Sequence, residues 1–168
     1  MSSGIGAARG SWFAIGGEEV DRPEHGSPTD AAFPLFWANV LVVEMGASLT
    51  APSTARQLSR TALAEWRVPA LIADAELICT ELVSNAVKAT EALPDAMPVG
   101  LRLLANGERL VVEVWDCHPG YPVRRPVSEI AESGRGLQIV HDLSNRWGSR
   151  RVNWRLKTVW AELLIPHD

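Results

Sequence analysis

Cysteine is scarce. The 168 residues hold two, Cys79 and Cys117, spaced neither as metal ligands nor as a disulfide framework. No stretch approaches the ~20 apolar residues needed to cross a bilayer, and the N-terminus shows no apolar leader core. The expectation is a protein of the reduced cytoplasm with no membrane attachment. An excess of basic charge is missing as well. The net charge is −4, whereas a nucleic-acid partner would call for a basic face. No internal repeat is present. What remains, 46% hydrophobic and 21% charged residues, fits one domain with a core of its own. Seven tryptophans are many for this length, so most are expected to pack in the core or along strands, leaving a subset for an interface.

Residues 1–32 are rich in Gly, Ser, Glu and Pro without a sustained period and read as a flexible tail. Within it Trp12, Phe13 and Ile15 form a small apolar knot. The domain is expected over 33–168. Phe36 to Met45 is apolar and β-branched enough for a strand. Thr50 followed by Pro52 suits a helix start, and the helical spacing of Ala55, Leu58, Ala62 and Trp66 runs to Arg67. Val68-Pro69 ends that helix. A second helix runs from Leu71 to Glu91. Alternation at Val99, Leu101 and Leu103, and again at Leu110, Val112 and Val114, flanks Asn106-Gly107 and predicts a hairpin over 98–105 and 108–116. A long loop, 117–134, holds three prolines and two glycines, a composition suited to a lid or binding loop. A helix follows from Leu137 to Asn145, with Leu137, Val140, His141 and Leu143 on its inner side. A second hairpin is predicted over 147–152 and 157–165. The order β-α-α-β-β-loop-α-β-β argues an α+β two-layer sandwich: a mixed, mostly antiparallel sheet covered on one face by three helices.

The stretch Glu81-Leu82-Val83-Ser84-Asn85-Ala86-Val87-Lys88 concentrates the polar chemistry. An α-helix advances about 100° per residue, so Glu81, Asn85 and Lys88 fall within roughly 60° of one another. Beside them runs an apolar stripe of Leu71, Ala75, Ile78, Leu82, Ala86 and Ala89. A carboxylate, a carboxamide and an ammonium therefore line up along the edge of a core-facing surface. Downstream, Asp116 stands at a strand end, Gly134-Arg135-Gly136-Leu137 opens a helix, and Lys157-Thr158-Val159-Trp160 begins the last strand.

These four elements, in this order, resemble the nucleotide-binding boxes of the GHKL (Bergerat-fold) ATPases, the superfamily that holds the ATPase portion of DNA gyrase and the sensor histidine kinases. The short form is most similar to the bacterial anti-sigma-factor serine/threonine kinases and the small ATP-binding regulators of actinobacteria. The resemblance spans residues 34–166. It implies a site for ATP and Mg²⁺. Asn85 is the implied Mg²⁺ ligand, its neutral oxygen leaving room in the shell for phosphate oxygens and water. Glu81 takes the position of the general base. Asp116 takes that of the carboxylate that accepts the adenine amine and so rejects guanine, with the Thr158 hydroxyl accompanying it. Gly134, Arg135, Gly136 and Leu137 would hold phosphate at a helix start. Lys88 either pairs with phosphate or lies along the surface. Arg124 and Arg125 of the lid reach toward the terminal phosphates or remain solvated.

The sequence departs from the pattern twice. The strand-end box, Asp-x-Gly-x-Gly in the family, reads Asp116-Cys117-His118-Pro119-Gly120, with His118 at the first glycine and Gly120 at the second. Ala89 stands where the family often has His. The implied function is an ATP-binding regulator, an anti-sigma-factor-type serine/threonine kinase acting on a small antagonist protein. Its partners would be that antagonist, a sigma factor, or both, and a homodimer is a further expectation. The alternative is a nucleotide-gated or degenerate protein-binding module without kinase activity. A sensor histidine kinase is disfavoured, because residues 1–32 are too short for a phosphoacceptor helix pair.

Overall fold

A computed structural model describes residues 36–91, 93, 97–117 and 136–166. The tail with Trp12, Phe13 and Ile15, the lid arginines Arg124 and Arg125, and His118, Gly120, Gly134 and Arg135 lie outside the described residues. The elements run β1 (Asn39–Met45), α1 (Ala51–Glu65), a 3₁₀ turn (Pro69–Leu71), α2 (Ile72–Glu91), β2 (Val99–Ala105), β3 (Arg109–Asp116), α3 (Gly136–Leu143), β4 (Arg146–Arg151) and β5 (Lys157–Leu164). The strands form one sheet in the order β1-β2-β3-β5-β4, and each described pairing is antiparallel. With three helices packed against it, this is the expected α+β sandwich of the GHKL type.

Local chemistry explains the element ends. Pro52 sits in the first turn of α1, where its missing N–H costs nothing. At the other end Arg67 adopts φ 60°. Val68 N–H donates to Leu63 O at 2.9 Å and Arg67 N–H to Ala64 O at 3.2 Å. That is the paired helix-stop motif in which glycine is usual, followed here by Pro69. Between β2 and β3, Asn106 Oδ1 accepts from the Glu108 and Arg109 amides at 3.0 and 2.8 Å, which pins the hairpin register.

Because strand side chains alternate, Val99, Leu101 and Leu103 of β2, Leu110, Val112 and Val114 of β3, and Val159, Ala161 and Leu163 of β5 share one buried face. Helix α2 lies on β2 and β3 and fills this face with Ala75, Ile78, Cys79, Leu82, Val83, Ala86 and Val87. Helices α1 and α3 pack against α2. The α1–α2 contact is fastened by Glu76, which accepts from Arg56 Nε at 3.2 Å and Arg60 Nη2 at 3.0 Å. On α3, Leu137 and Val140 point inward as expected. His141 does not: it is exposed and accepts the Trp147 indole N–H at 3.2 Å. An eight-residue helix has a narrow inner stripe, and position 141 turns past it.

The opposite sheet face is also buried in its centre, which strict alternation of apolar and polar residues would not suggest. Trp160 is fully buried, and Glu113 and Glu162 are each 1% exposed. Gly100 lies under the Trp115 ring and Gly148 under that of Trp160; a Cβ at Gly148 would come within 3.0 Å of the indole. The acids are held by arginines. Arg102 Nε donates to Glu113 at 2.6 Å. Glu162 receives Arg146 Nε and Nη2, both at 2.8 Å, and Asn145 Nδ2 at 3.3 Å. Burial alone would raise the Glu162 carboxyl, but the Arg146 guanidinium more than reverses this and holds it below the ordinary 4.5. Glu76 is lowered likewise, chiefly by its hydrogen bond from Arg60.

Both acids therefore contribute stability that is complete above pH 4.5 and is lost as pH falls through their depressed folded values. Urea unfolding from pH 7 to pH 3 is expected to show stability falling below about pH 4.5. Glu162→Gln should be about 2 kcal/mol less stable at pH 7 and show a shallower acid slope, since the Glu162 contribution is gone. An equal slope in both proteins contradicts this account.

Candidate functional site

Helix α2 presents Glu81, Asn85 and Lys88 along one edge. Glu81 and Asn85 are half-buried and Lys88 is exposed, so two of the three sit at the boundary between core and solvent. The first residue of α3 closes on them. Gly136 is buried, and a Cβ built there would lie 3.4 Å from Glu81 Cδ and 3.5 Å from Asn85 Nδ2, and would collide with Glu81 Oε2. Any side chain here would push the Glu81 carboxylate away, so the glycine is what lets that carboxylate lie against the helix start. Leu137 follows, buried in the core, where it anchors the start of α3. Its part in any site is therefore that of its backbone N–H. The first N–H groups of a helix have no intrahelical acceptor and carry the positive end of its dipole. The structure thus brings Glu81, Asn85, Gly136 and Leu137 together. Lys88 stands on the same edge two turns along.

Asp116 ends β3 and is 2% exposed. Its cross-strand partner is Lys157, and Thr158 is opposite Trp115. Lys157 Nζ lies 3.0 Å from Asp116 Oδ1. By alternation Asp116 and Lys157 share the face of Val114 and Val159, which α2 covers, and Thr158 falls on the face of Trp115 and Trp160. The register therefore gives Asp116 a lysine neighbour that the motif does not single out. A signal for it exists in the sequence: Lys157 precedes Thr158 by one residue, and the strand ladder decides which of the two meets Asp116.

The cysteines supply no reactive thiolate. Burial pushes the Cys79 thiol up to about 12, and Cys117 is raised first by burial and then by the Asp116 carboxylate. Both remain neutral thiols near pH 7. Among the described residues no group of three or more His, Cys, Asp or Glu could hold a metal ion. Asn85 stands beside Glu81 and Gly136 with its Nδ2 nearest the glycine, and its carboxamide oxygen is of the neutral kind that an Mg²⁺ shell accepts. The space that Gly136 leaves is taken up by the Glu81 carboxylate, which lies against the start of α3.

The chain is an α+β sandwich that carries a carboxylate and a carboxamide on one helix, facing the opening of a second. The chain belongs to the histidine kinase-like ATPase domain family, whose profile matches residues 45–162, and is thereby an ATP-binding domain of the GHKL type. Two solved structures share the fold. The RsbU and RsbW domains of Rv1364c from Mycobacterium tuberculosis match with a TM-score of 0.56 and 22% identity, over 74% of this chain and 32% of that one. The SiaB–SiaC complex from Pseudomonas aeruginosa matches with a TM-score of 0.52 and 13% identity, over 73% and 88%. This chain thus spans about a third of the Mycobacterium protein. No curated protein matches it.

The Gly136 contact makes a direct prediction. Gly→Ala in a helix ordinarily stabilises, but Gly136→Ala is expected to lose that gain because the Glu81 carboxylate must swing away from the helix start. In a Glu81→Ala background the same change should be stabilising, a coupling of about 0.5–1 kcal/mol in a double-mutant cycle. Additive effects in urea unfolding would mean that the two residues do not touch.

Proposed function

We propose that this chain is an Mg²⁺- and ATP-dependent regulatory kinase of the anti-sigma-factor type, transferring a phosphoryl group to a serine or threonine of a small partner protein. The observation that carries the reading is the meeting of Glu81 and Asn85 with Gly136. It supports the reading because the residues proposed as base, metal ligand and phosphate-holding helix start lie side by side, as phosphoryl transfer needs them to.

When bound, Mg·ATP supplies the γ-phosphoryl group and the cation that offsets its charge. The residues of the chain do the rest. Asn85 offers its carboxamide oxygen to the cation. The Gly136 and Leu137 amides would hold phosphate oxygens, and Gly134 and Arg135 belong to the same proposed phosphate-binding set. The half-buried Glu81 carboxylate would take the proton from the partner's hydroxyl as that oxygen bonds the γ-phosphorus and the γ-phosphorus bond to the bridging oxygen breaks, releasing ADP. Asp116 accepts the N–H of the adenine amine, and Gly120 belongs to the same proposed set. Thr158 lies one ladder position along, on the opposite sheet face, so its hydroxyl does not accompany Asp116. The exposed Lys88 is free to meet phosphate at the outer end of α2. Partner choice, between an antagonist protein and a sigma factor, would follow the nucleotide state. That one fold neighbour comes from a two-protein complex supports a protein partner, and a homodimer is part of the same reading.

Mg-ATP at about a hundredfold over its Kd should stabilise the fold by about 2.7 kcal/mol, visible as a rise in Tm that Asn85→Ala abolishes. Glu81→Ala should keep the Tm rise and lower transfer of labelled γ-phosphate to the cognate antagonist by about 10²–10⁴-fold. No Tm response to Mg-ATP in the wild type would sink the reading. A Tm response with no phospho-antagonist would instead leave a nucleotide-gated binding module.

A further inference from the structure

The β4–β5 hairpin concentrates positive charge. Residues 146–157 hold four arginines and a lysine and no acid, in a chain whose net charge is −4. Two of these cations are committed within the sheet, Arg146 to Glu162 at 2.8 Å and Lys157 to Asp116 at 3.0 Å. Arg150 and Arg155 pair with no acid among the described residues. Arg150 lies one pair below the last rung of the β4–β5 ladder, and its Nε is buried without an acceptor. The tip beyond that rung exposes apolar surface: Trp154 is 74% exposed and Val152 41%. The Arg155 guanidinium lies 4.1 Å from the centre of the Trp154 ring, within cation–π range. Hydrogen bonds fix the shape of the turn. Val152 N–H donates to Leu156 O at 2.8 Å, and Asn153 Oδ1 accepts from the Arg155 and Leu156 amides, both at 2.8 Å. Folding gains nothing from leaving a tryptophan in water, whereas tryptophan and arginine are the residues that most often carry the binding energy of a protein interface.

We infer that this tip is a docking surface for an acidic segment of a partner protein, with Trp154 taking an apolar side chain of that segment and Arg155, with Arg150 beside the turn, taking its carboxylates. Guanidinium groups match carboxylates in geometry as well as in charge, and a turn already held in shape loses little freedom on binding. A nucleic acid fits less well. Its many phosphates call for a broad basic face, and here the cations cluster on one hairpin of an otherwise acidic chain. The surface adjoins the candidate site: β5 opens directly after the tip, and its first residue, Lys157, is paired with Asp116 at the end of β3. The inference concerns protein contact and holds with or without phosphoryl transfer.

Fluorescence anisotropy on the full chain, without nucleotide, tests it with labelled probes: a short glutamate–leucine peptide, its lysine–leucine counterpart and an oligothymidylate. The wild type is expected to bind the acidic peptide, more weakly as salt rises, and not the basic one. Trp154→Ala and Arg155→Glu should each weaken that binding about tenfold. Leu164→Ala, which removes an exposed leucine at the far end of β5, should leave it unchanged. Trp154 and Arg155 are both exposed, so their variants should melt with the wild type, and Trp154→Ala should keep any rise in Tm that Mg-ATP gives the wild type. No binding of the acidic peptide, or binding that both tip variants leave intact, overturns the inference. Tighter binding of the oligothymidylate would make the tip a nucleic-acid site and overturn it too. So would a dimer in sedimentation velocity that Trp154→Ala dissolves, which would place a second copy there, or a Tm response to Mg-ATP that Trp154→Ala alone removes, which would place Trp154 in the nucleotide site.

Discussion

Everything at the site depends on how closely one helix start approaches another helix. Gly136 sits against Glu81 and Asn85 at a distance where a methyl group would displace the Glu81 carboxylate. A helix terminus offers unpaired N–H groups and the positive end of a dipole, but these matter only where an anion can be held against a second set of groups. Here that second set is the polar edge of α2. The approach is held from behind by apolar packing. Leu137 and Val140 of α3 enter the same core as Leu82, Ala86 and Val87 of α2. The polar groups are thus positioned by residues that carry no chemistry, and close packing of such residues holds a site to narrow tolerance.

The sheet serves the same end. Its helix-covered face is apolar until the last pair of the β3–β5 ladder, where Asp116 and Lys157 replace valines. Its other face buries Glu113 and Glu162 under arginines from the neighbouring strands. Those pairs cross β2 to β3 and β4 to β5, so they tie the ladder laterally and resist a slip in register. A slip of one residue would flip every side chain to the wrong face. It would also put Thr158 in place of Lys157 against Asp116. Register is therefore the link between the bulk of the sheet and the chemistry at its end.

Much of this is legible in the amino-acid sequence, for physical reasons that differ by element. The helical period places Glu81 and Asn85 on one edge because α2 is long and its apolar stripe continuous. Asn106-Gly107 marks the hairpin, and the Asn106 side chain holds it by accepting from the Glu108 and Arg109 amides. The glycine before Leu137 is legible as a position of close approach. Other features are beyond a local reading. Apolar spacing puts His141 on the inward side of α3, whereas the short helix turns it outward to Trp147. The burial of Glu113 and Glu162 depends on arginines from neighbouring strands, which no local pattern shows. The pairing of Asp116 with Lys157 needs the register of strands separated by about 40 residues of chain, and a motif alone points to Thr158 instead.

The most direct test of the central claim is an amide and side-chain NMR titration of the full chain with Mg-ATP. The account predicts the largest shifts at the Gly136 and Leu137 amides, the Asn85 carboxamide and the Asp116 strand end, with β4 largely unmoved. Shifts concentrated on β4 and the arginine-covered sheet face, with α2 and the start of α3 unperturbed, would contradict it.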